Sequence, residues 1–275
     1  MKKIFALALA ALTLFATSCV KDEQYSGVTF DKIENTIPML QTESAEVVAT
    51  ISALVEIKGV KLYYKGTETD FTSVDMIPGD GGSYKGTIPG YAKDVEVSYY
   101  IAAETSRITN SKVLTYTVGQ KPIDYTGLVL NELNGNDKFI EIYNGAAEEI
   151  FIGGIRMFKD GGNESVWTAP DEYLAAGAYL LLYGEDVVVS GEAQEGYPEK
   201  YVFHSGLSAK KAVRIHITKP DGITILDDFD FTAATHPGTK YAGSYGRNTD
   251  GLWYHQTTTT PGAVNVNGEE KLPFN

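Results

Sequence analysis

Two glutamates on neighbouring segments are the pair of side chains in this sequence whose spacing most readily suggests chemistry. Glu132 lies in the segment 129–134 and Glu141 in the segment 139–144, each at a position that alternates with Leu or Ile. Two carboxylates on adjacent strands can act as a general acid and a general base. They can also form a scaffold ion pair, with Arg247 as the partner, or belong to a solvated strand face. We expect one of the structural roles.

The other reactive side chains form no recognisable catalytic or metal motif. The histidines are His204, His216, His236 and His255, and they contain neither an HExxH motif nor a close pair. The sequence also lacks a GxSxG elbow, a Walker A motif and a GxGxxG turn. His216 alternates with apolar neighbours, so we expect it on a solvated strand face. The sequence predicts neither enzymatic activity nor a resident cofactor.

Three short segments rich in oxygen ligands leave calcium as an alternative. They are 134–137 (NGND), 160–163 (DGGN) and 227–230 (DDFD). Carboxylate and amide oxygens are the ligands that calcium prefers, but none of these segments fits an EF-hand loop. Turn chemistry explains the first two segments, and solubility or a strand edge explains the third. We expect no metal, with weak calcium binding as the minority interpretation.

The acidic composition argues against nucleic acid as a partner. The 275 residues include 23 Lys and Arg against 36 Asp and Glu, which gives a formal net charge of −13. Such a chain repels phosphate backbones, and the small basic cluster of Lys210, Lys211 and Arg214 does not reverse that. The hydrophobic fraction of 43% is ordinary for a globular protein, and the length suggests two domains or one large one.

The first residues resemble the signal peptide of a bacterial lipoprotein. Two lysines precede the apolar stretch 4–16, which is too short to span a bilayer, and small residues lead to Cys19, the single cysteine. The segment LFATSC is similar to a lipobox, which implies a signal peptide over 1–18 and lipid attachment, palmitate included, at Cys19. The tether 19–26 begins with VKDE after the cysteine, similar to the export signal of surface lipoproteins in Bacteroidota. We therefore expect a lipid-anchored protein exposed at the outer membrane.

The segment 27–119 has the alternation and the turn chemistry of a β-sandwich. Branched and aromatic residues alternate in GVKLYY and VEVSYYI, and DGG marks a turn between strands. The phrases VKLYYK, YKGTIPG and VSYYIAAE resemble Ig-like or fibronectin-like modules of bacterial secreted proteins. A polar stretch with a proline follows, and we interpret 120–126 as a linker.

The remaining part of the chain resembles the lamin-tail domain, another Ig-like sandwich. The ordered motifs that carry the resemblance are NEL and FIEIYN at the start and SYGR, DG-W and TPGAVN at the end. The similarity runs from about residue 126 to 266 and implies a domain over 127–275. The predicted fold is therefore all-β, with two tandem Ig-like β-sandwich domains after a lipoprotein signal peptide.

An acidic insertion between two strands is the largest departure from the lamin-tail pattern. Since the strands of a sandwich are committed to packing, its loops are the expected recognition surfaces. Trp167 and Trp253 are further candidates for stacking on a ligand. The predicted recognition loop consists of one aromatic and four acidic residues, Glu185, Asp186, Glu192, Glu195 and Tyr197.

The sequence thus predicts a non-catalytic binding, adhesion or scaffolding module. The expected partners are the membrane, through the lipid anchor, and an unknown extracellular protein or glycan. We expect the protein to be monomeric. Two alternatives stay open, an accessory component of an extracellular hydrolase or nuclease system and a structural spacer.

Overall fold

The computed structural model describes residues 27–190, 197–231, 238, 241–266 and 268–273. Strands dominate these residues, so the prediction of an all-β protein is confirmed. The predicted lipidation site Cys19 lies outside the described residues. Among the described residues, no helix is both long enough and apolar enough to cross a membrane.

The chain forms two compact units. Of the described residues, the N-terminal unit comprises 27–36, 44–89 and 95–116, and the C-terminal unit comprises 37–43, 90–94 and those from 117 onwards. The main division therefore falls close to the predicted boundary at residue 119. Independent folding of the domains 27–119 and 127–275 stays a prediction.

The N-terminal unit contains two sheets whose strands alternate buried and exposed residues. One sheet has the strand order β1-β2-β6-β5 and the other β4-β3-β7-β8, with β9 also paired to β7. The strands are β1 Val28–Asn35, β2 Ala45–Ala53, β3 Gly59–Lys65, β4 Thr72–Asp75, β5 Ile77–Pro78, β6 Ser83–Ile88, β7 Glu96–Glu104, β8 Ile108–Asn110 and β9 Leu114–Thr117.

The core of this unit is built from the inward residues of both sheets. Val47 on β2 faces inward, as do Leu62 on β3 and Ile101 on β7, and all three are fully buried. Gly86 on β6 leaves room for the neighbouring sheet, because a Cβ there would lie 2.9 Å from the Leu62 side chain. This alternation is what the period of two in the sequence predicts.

The C-terminal unit has a larger sheet, a smaller facing sheet and a short helix. Its elements are β10 Leu128–Asn134, β11 Phe139–Asn144, β12 Ile150–Phe151, β13 Arg156–Lys159, β14 Trp167–Thr168, β15 Tyr173–Leu174, β16 Tyr179–Gly184, α1 Glu185–Ser190, β17 Val202–Phe203, β18 Val213–Thr218, β19 Ile225–Phe231, β20 Ser244–Arg247, β21 Trp253–Gln256 and β22 Gly268–Lys271. A single 3₁₀ turn occurs in this unit at Glu199–Tyr201, and another occurs in the N-terminal unit at Asp80–Gly82.

Two sheets enclose the core of the C-terminal unit, and β12 and β15 pair as a separate two-stranded sheet. The larger has the order β17-β16-β11-β10-β20-β21-β22, and the smaller has the order β14-β13-β18-β19. The core between them includes Leu130 and Ile142 from the larger sheet and Ile215 and Phe229 from the smaller one. It also contains Tyr125, which belongs to the predicted linker 120–126. The linker prediction was therefore wrong at this residue, because its aromatic ring packs into the core.

Candidate functional site

A pair of buried glutamates lies on the face of the larger sheet that points away from the core. Glu132 on β10 and Glu141 on β11 are direct cross-strand partners. A β-bulge between Leu130 and Glu132 inserts Asn131 as an extra residue. Bulges change the direction of side chains and often occur beside functional sites. Both glutamates are fully buried, so the expectation of a solvated strand face was wrong.

The carboxylate of Glu132 is held from two sides. The Ser244 hydroxyl of β20 donates to its Oε1 atom. The backbone N–H of Thr260 lies 3.2 Å from both carboxylate oxygens, and the Thr260 hydroxyl lies 3.3 Å from Oε2. Hydrogen bonds of this kind compensate part of the cost of burying a charged group.

The carboxylate of Glu141 receives one donor on each oxygen. Asn131, the residue inserted by the bulge, donates from Nδ2 to Oε1 at 2.8 Å. The backbone N–H of Gly262 donates to Oε2 at 2.5 Å. The two glutamates therefore fasten the same stretch of chain, residues 260–265, across the outer face of the sheet. We call this stretch the latch.

Asn265 closes the far end of the latch. Its Nδ2 atom donates to the backbone oxygens of Asn131 at 3.0 Å and Arg247 at 3.1 Å. Its Oδ1 atom accepts from the Thr260 hydroxyl at 2.6 Å. Gly246 makes this approach feasible, since a Cβ there would lie 2.7 Å from the Asn265 side chain.

Burial dominates the electrostatics of the two carboxyls. Desolvation raises the pKa of Glu132, although the hydrogen bonds from Ser244 and Thr260 oppose the rise. Desolvation also raises the pKa of Glu141, to about 7, against the bonds from Gly262 and Asn131. A pKa near neutrality is typical of general acids and bases. Here, however, the latch covers both groups, and an external substrate has no exposed carboxyl oxygen to meet.

Arg247 is engaged with the smaller sheet. Its Nη2 atom donates to Asp227 on β19 at 2.7 Å, and its Nε atom donates to the Leu130 oxygen at 3.1 Å. Nη1 donates to the Gly251 oxygen at 2.8 Å, and the guanidinium lies 4.8 Å from the centre of the Trp253 ring. The predicted pairing of Arg247 with one of the two glutamates was therefore wrong.

A surface groove of about 430 Å³ runs beside the latch. Tyr143 and Tyr179 are half-buried and stack with their ring centres 4.6 Å apart. Val264, which is 50% exposed, lies on the latch side of the groove. The lining also includes polar residues, among them Asn248 and Thr249. The groove combines apolar and aromatic surface with a few polar groups, which is the usual composition of a ligand site.

The predicted acidic recognition loop begins as helix α1. Glu185 lies 3.1 Å from His204, and Asp186 lies 3.8 Å from Lys138, so basic side chains accompany both carboxylates. Neither basic neighbour was anticipated from the sequence. Glu192 and Glu195 lie outside the described residues.

Tyr197, the aromatic residue of this predicted loop, makes its contacts with strand β16 of the larger sheet. Its hydroxyl donates to the backbone oxygen of Leu181, and its ring meets that of Tyr183 edge to face at 4.9 Å. Burial raises its pKa to about 12. The sequence predicts a ring available for stacking on a ligand, but the Tyr197 ring is half-buried and occupied by these contacts.

The two tryptophans proposed as stacking residues belong to the interior. Trp167 and Trp253 are each 4% exposed. The Trp167 indole donates to the Lys200 oxygen at 2.8 Å, and Trp253 packs edge to face on Phe229. Neither ring can stack on an external ligand without unfolding its surroundings, so this part of the prediction was wrong.

The oxygen-rich segments considered for calcium are engaged in turns and ion pairs. Asn134 accepts from the backbone N–H groups of Asn136 at 2.7 Å and Asp137 at 2.9 Å. Asp160 accepts from the backbone of Arg214, whose side chain pairs with Asp228. Within the part of the chain that the structure describes, no group of three or more His, Cys, Asp and Glu side chains could hold a metal ion.

His216 is not the solvated residue that its position in the sequence suggested. Its ring stacks on Phe158 at 5.2 Å and is half-buried. Burial lowers its pKa. His204 meets Glu185, His255 lies 4.0 Å from the Tyr241 ring, and His236 lies outside the described residues.

Sequence reasoning found both glutamates but missed the latch and the groove. TPGAVN served only as a motif of the lamin-tail resemblance, whereas its residues Thr260 and Gly262 supply donors that cover the carboxylates. The signal in the sequence was the run TTTTPG at 257–262, which is rich in hydrogen-bond donors and directly follows β21.

Comparison with known proteins gives no family assignment. No protein-family profile matches the chain, and no curated protein matches it. Similar solved structures include a computationally redesigned β-sandwich protein at 19% identity, covering 33% of this chain and 94% of that one with a TM-score of 0.26. A chimeric titin Z1Z2 carrying a decorin peptide has 15% identity, covers 74% of this chain and 92% of its own, and has a TM-score of 0.26. A cycloalternan-degrading enzyme from Trueperella pyogenes has 13% identity, with a match that covers 71% of this chain and 26% of the enzyme, and a TM-score of 0.28. Similarities this distant identify no activity for this chain.

Proposed function

We propose that this protein is a non-catalytic binding module held at the outer membrane by lipid on Cys19. The segment LFATSC and the polar tether after it support the anchor. The ordered motifs from NEL to TPGAVN support a lamin-tail type of C-terminal domain. The proposed partners are the membrane and an extracellular protein or glycan.

One observation carries the non-catalytic assignment. The two carboxyls best suited to acid–base chemistry, Glu132 and Glu141, are fully buried and bonded to the latch. A general acid or base must come within hydrogen-bond reach of its substrate. Both groups instead serve a structural purpose, and the open surface beside them is the groove.

The groove is the contact surface that we favour for the partner. Tyrosines bury a large rigid area and keep a polar hydroxyl available, which suits both sugar rings and peptide side chains. Tyr143 and Tyr179 provide such a surface, while Asn248 and Arg247 line the same groove. The acidic recognition loop predicted from the sequence, within residues 185–198, is the second surface that we propose for contact with the partner.

Binding arrays with matched variants test the two surfaces. Purified protein would be applied to glycan arrays and to peptide arrays of extracellular proteins, as wild type, as Tyr179→Ala and with residues 187–196 replaced by a Gly-Ser turn. Tyr63→Ala is the control, because Tyr63 and Tyr100 form a similar half-buried pair, stacked at 4.8 Å, in the N-terminal unit. We expect Tyr179→Ala to lose binding while Tyr63→Ala keeps it. Equal binding by wild type and Tyr179→Ala would exclude the groove.

The anchor has its own test. Cys19→Ala should remove metabolic palmitate label and release the protein from the membrane fraction. A variant that stays labelled and membrane-bound would contradict the lipoprotein assignment.

The arrays also separate the alternative functions. A structural spacer would bind nothing on any array. An accessory component of an extracellular hydrolase or nuclease system would bind the polymer that the enzyme degrades, and in this proposal it would do so without cleaving it.

A further inference from the structure

One end of the N-terminal unit exposes three large aliphatic side chains. Leu54 is 80% exposed, Val55 is 52% exposed and Ile108 is 66% exposed. Single exposed aliphatic residues are common on soluble proteins. Several at one end of a domain are characteristic of an interaction surface.

Strand pairing places these residues at the same end of the unit. Val28 at the start of β1 pairs with Ala53 at the end of β2, so Leu54 and Val55 follow directly at that end. The loop then enters β3 at Gly59, which pairs with Glu104 at the end of β7. Ile108 pairs with the same Glu104. The β2–β3 loop and the β7–β8 turn therefore lie side by side.

The N-terminal tether joins the unit at this end. Gly27 immediately precedes β1, its oxygen accepts from the N–H of Leu54 at 2.8 Å, and a Cβ on it would contact Leu54 and Val55. Cys19 is eight residues before Gly27. A chain of that length reaches at most about 28 Å. If Cys19 carries lipid, this end of the unit is held close to the bilayer.

The exposed charged residues of the two turns balance one another. Glu56 and Lys58 lie in the β2–β3 loop, and Glu104 and Arg107 flank the β7–β8 turn, all of them exposed. Electrostatic attraction to anionic lipid needs an excess of basic residues, which these turns lack. Their contact with a bilayer would depend on the aliphatic side chains instead.

We propose that this end of the unit, formed by Gly27, Leu54, Val55 and Ile108, docks on the lipid surface and inserts its aliphatic side chains at the headgroup boundary. The inference rests on the proposed lipid anchor, which brings the surface within reach. Burial of exposed aliphatic groups at the boundary removes them from water. The docked unit would then be held against the membrane rather than moving freely on its tether.

The test attaches the mature chain, residues 19–275, through the Cys19 thiol to maleimide lipid in phosphatidylcholine vesicles that contain brominated phosphatidylcholine. A reporter tryptophan is introduced as Leu54→Trp, and the protein without it supplies the baseline from the buried Trp167 and Trp253. We expect blue-shifted emission and at least about twofold quenching of the reporter, since bromine quenches only on contact with the acyl region.

A matched reporter on the same unit is Ile77→Trp. Ile77 is 71% exposed on β5, and strand pairing through Lys85 and Val48 places it about 17 Å along the strands from the end of β2. It should show neither a shift nor quenching. Equal quenching of both reporters, or none for Leu54→Trp, would overturn the proposal.

Surface density and a second variant separate the other outcomes. Contact with a second copy of the chain would make the Leu54→Trp signal depend on the density of tethered protein, and that result would also overturn membrane docking. Ile108→Ser in the Leu54→Trp background should reduce the quenching. Because maleimide supplies the attachment, the result is independent of whether cells lipidate Cys19, which the palmitate experiment decides separately.

Discussion

The Nη2 atom of Arg247 on β20 donates to the Oδ2 atom of Asp227 on β19 at 2.7 Å, and this pair joins the larger sheet to the smaller one. The same Oδ2 atom accepts from the N–H of Leu130, at the start of the β-bulge. Burial raises the pKa of Asp227, while Arg247 opposes the rise. The ion pair thus fixes the strand on which the buried glutamate Glu132 lies.

Arg247→Lys should destabilise the C-terminal unit although it keeps the charge. A lysine cannot reach Asp227, Leu130 and Gly251 together, because it lacks the planar fork of donors. We expect a loss of about 2 kcal/mol in the free energy of unfolding, measured by urea denaturation. Arg156→Lys, at an exposed position, is the control and should change little. A loss of equal size in both variants would contradict this role of Arg247.

Glu132→Ala should release the latch. The change removes the acceptor of the Ser244 hydroxyl and of the Thr260 N–H, and an unsatisfied buried donor is costly. We expect a loss of about 2–4 kcal/mol in the free energy of unfolding. Hydrogen exchange should also become faster at residues 260–265.

The matched control for this release is Glu164→Ala, since Glu164 is exposed. It should leave both the unfolding curve and the exchange of the latch unchanged. Slow exchange at 260–265 in Glu132→Ala would mean that the latch is held by other contacts.

The stability of the C-terminal unit should depend on pH through Glu141. Burial raises its pKa to about 7 in the folded protein from the ordinary value of 4.5, so the folded state binds the proton more tightly than the unfolded state. This contribution to stability is complete below about pH 4.5 and is lost as the pH rises through 7. Between pH 8 and pH 5 we expect wild type to gain about 2 kcal/mol relative to Glu141→Gln.

Urea titrations of both proteins at several pH values provide the measurement. The difference between wild type and Glu141→Gln isolates this carboxyl from the other groups that titrate in the same range. A difference that is flat from pH 5 to 8 would show that the hydrogen bonds from Gly262 and Asn131 balance desolvation, and one that falls towards acid would show that they outweigh it.

A fragment covering 120–275 should fold by itself. The residues of its hydrophobic core, from Tyr125 to Leu272, all lie within these limits. We expect a cooperative thermal transition and a β-type far-ultraviolet circular dichroism spectrum. A fragment starting at 127 is the informative comparison, because it lacks Tyr125 and should melt at a lower temperature. An insoluble or non-cooperative 120–275 fragment would show that its fold depends on the segments 37–43 or 90–94.

The sequence was most informative where burial follows local alternation. VEVSYYIAAE predicts β7, and buried residues alternate with less buried ones along most of that strand. FIEIYN also forms a strand, β11, but five of its six residues are buried, so burial does not follow the alternation there. The sequence failed at Glu132 and Glu141, which occupy outward positions and so suggested solvent. Their cover comes from residues more than 100 positions further along the chain, and local periodicity contains no information about such contacts.

The side-chain partners of the acidic segment were also unpredictable from its own sequence. Glu185 and Asp186 form the first turn of α1, and their basic neighbours His204 and Lys138 come from other parts of the chain. Charge counting within a segment cannot detect partners that only the fold brings close.

The latch also makes the outer face of the sheet depend on the C-terminal part of the unit. Thr260 and Gly262 lie 128 and 121 residues from their respective acceptors, so the two glutamates stay uncovered until that part of the chain has reached the sheet. Until then the two carboxyls face water and are free to ionise. A chain that stops before residue 260 lacks these donors and leaves that face of the sheet open.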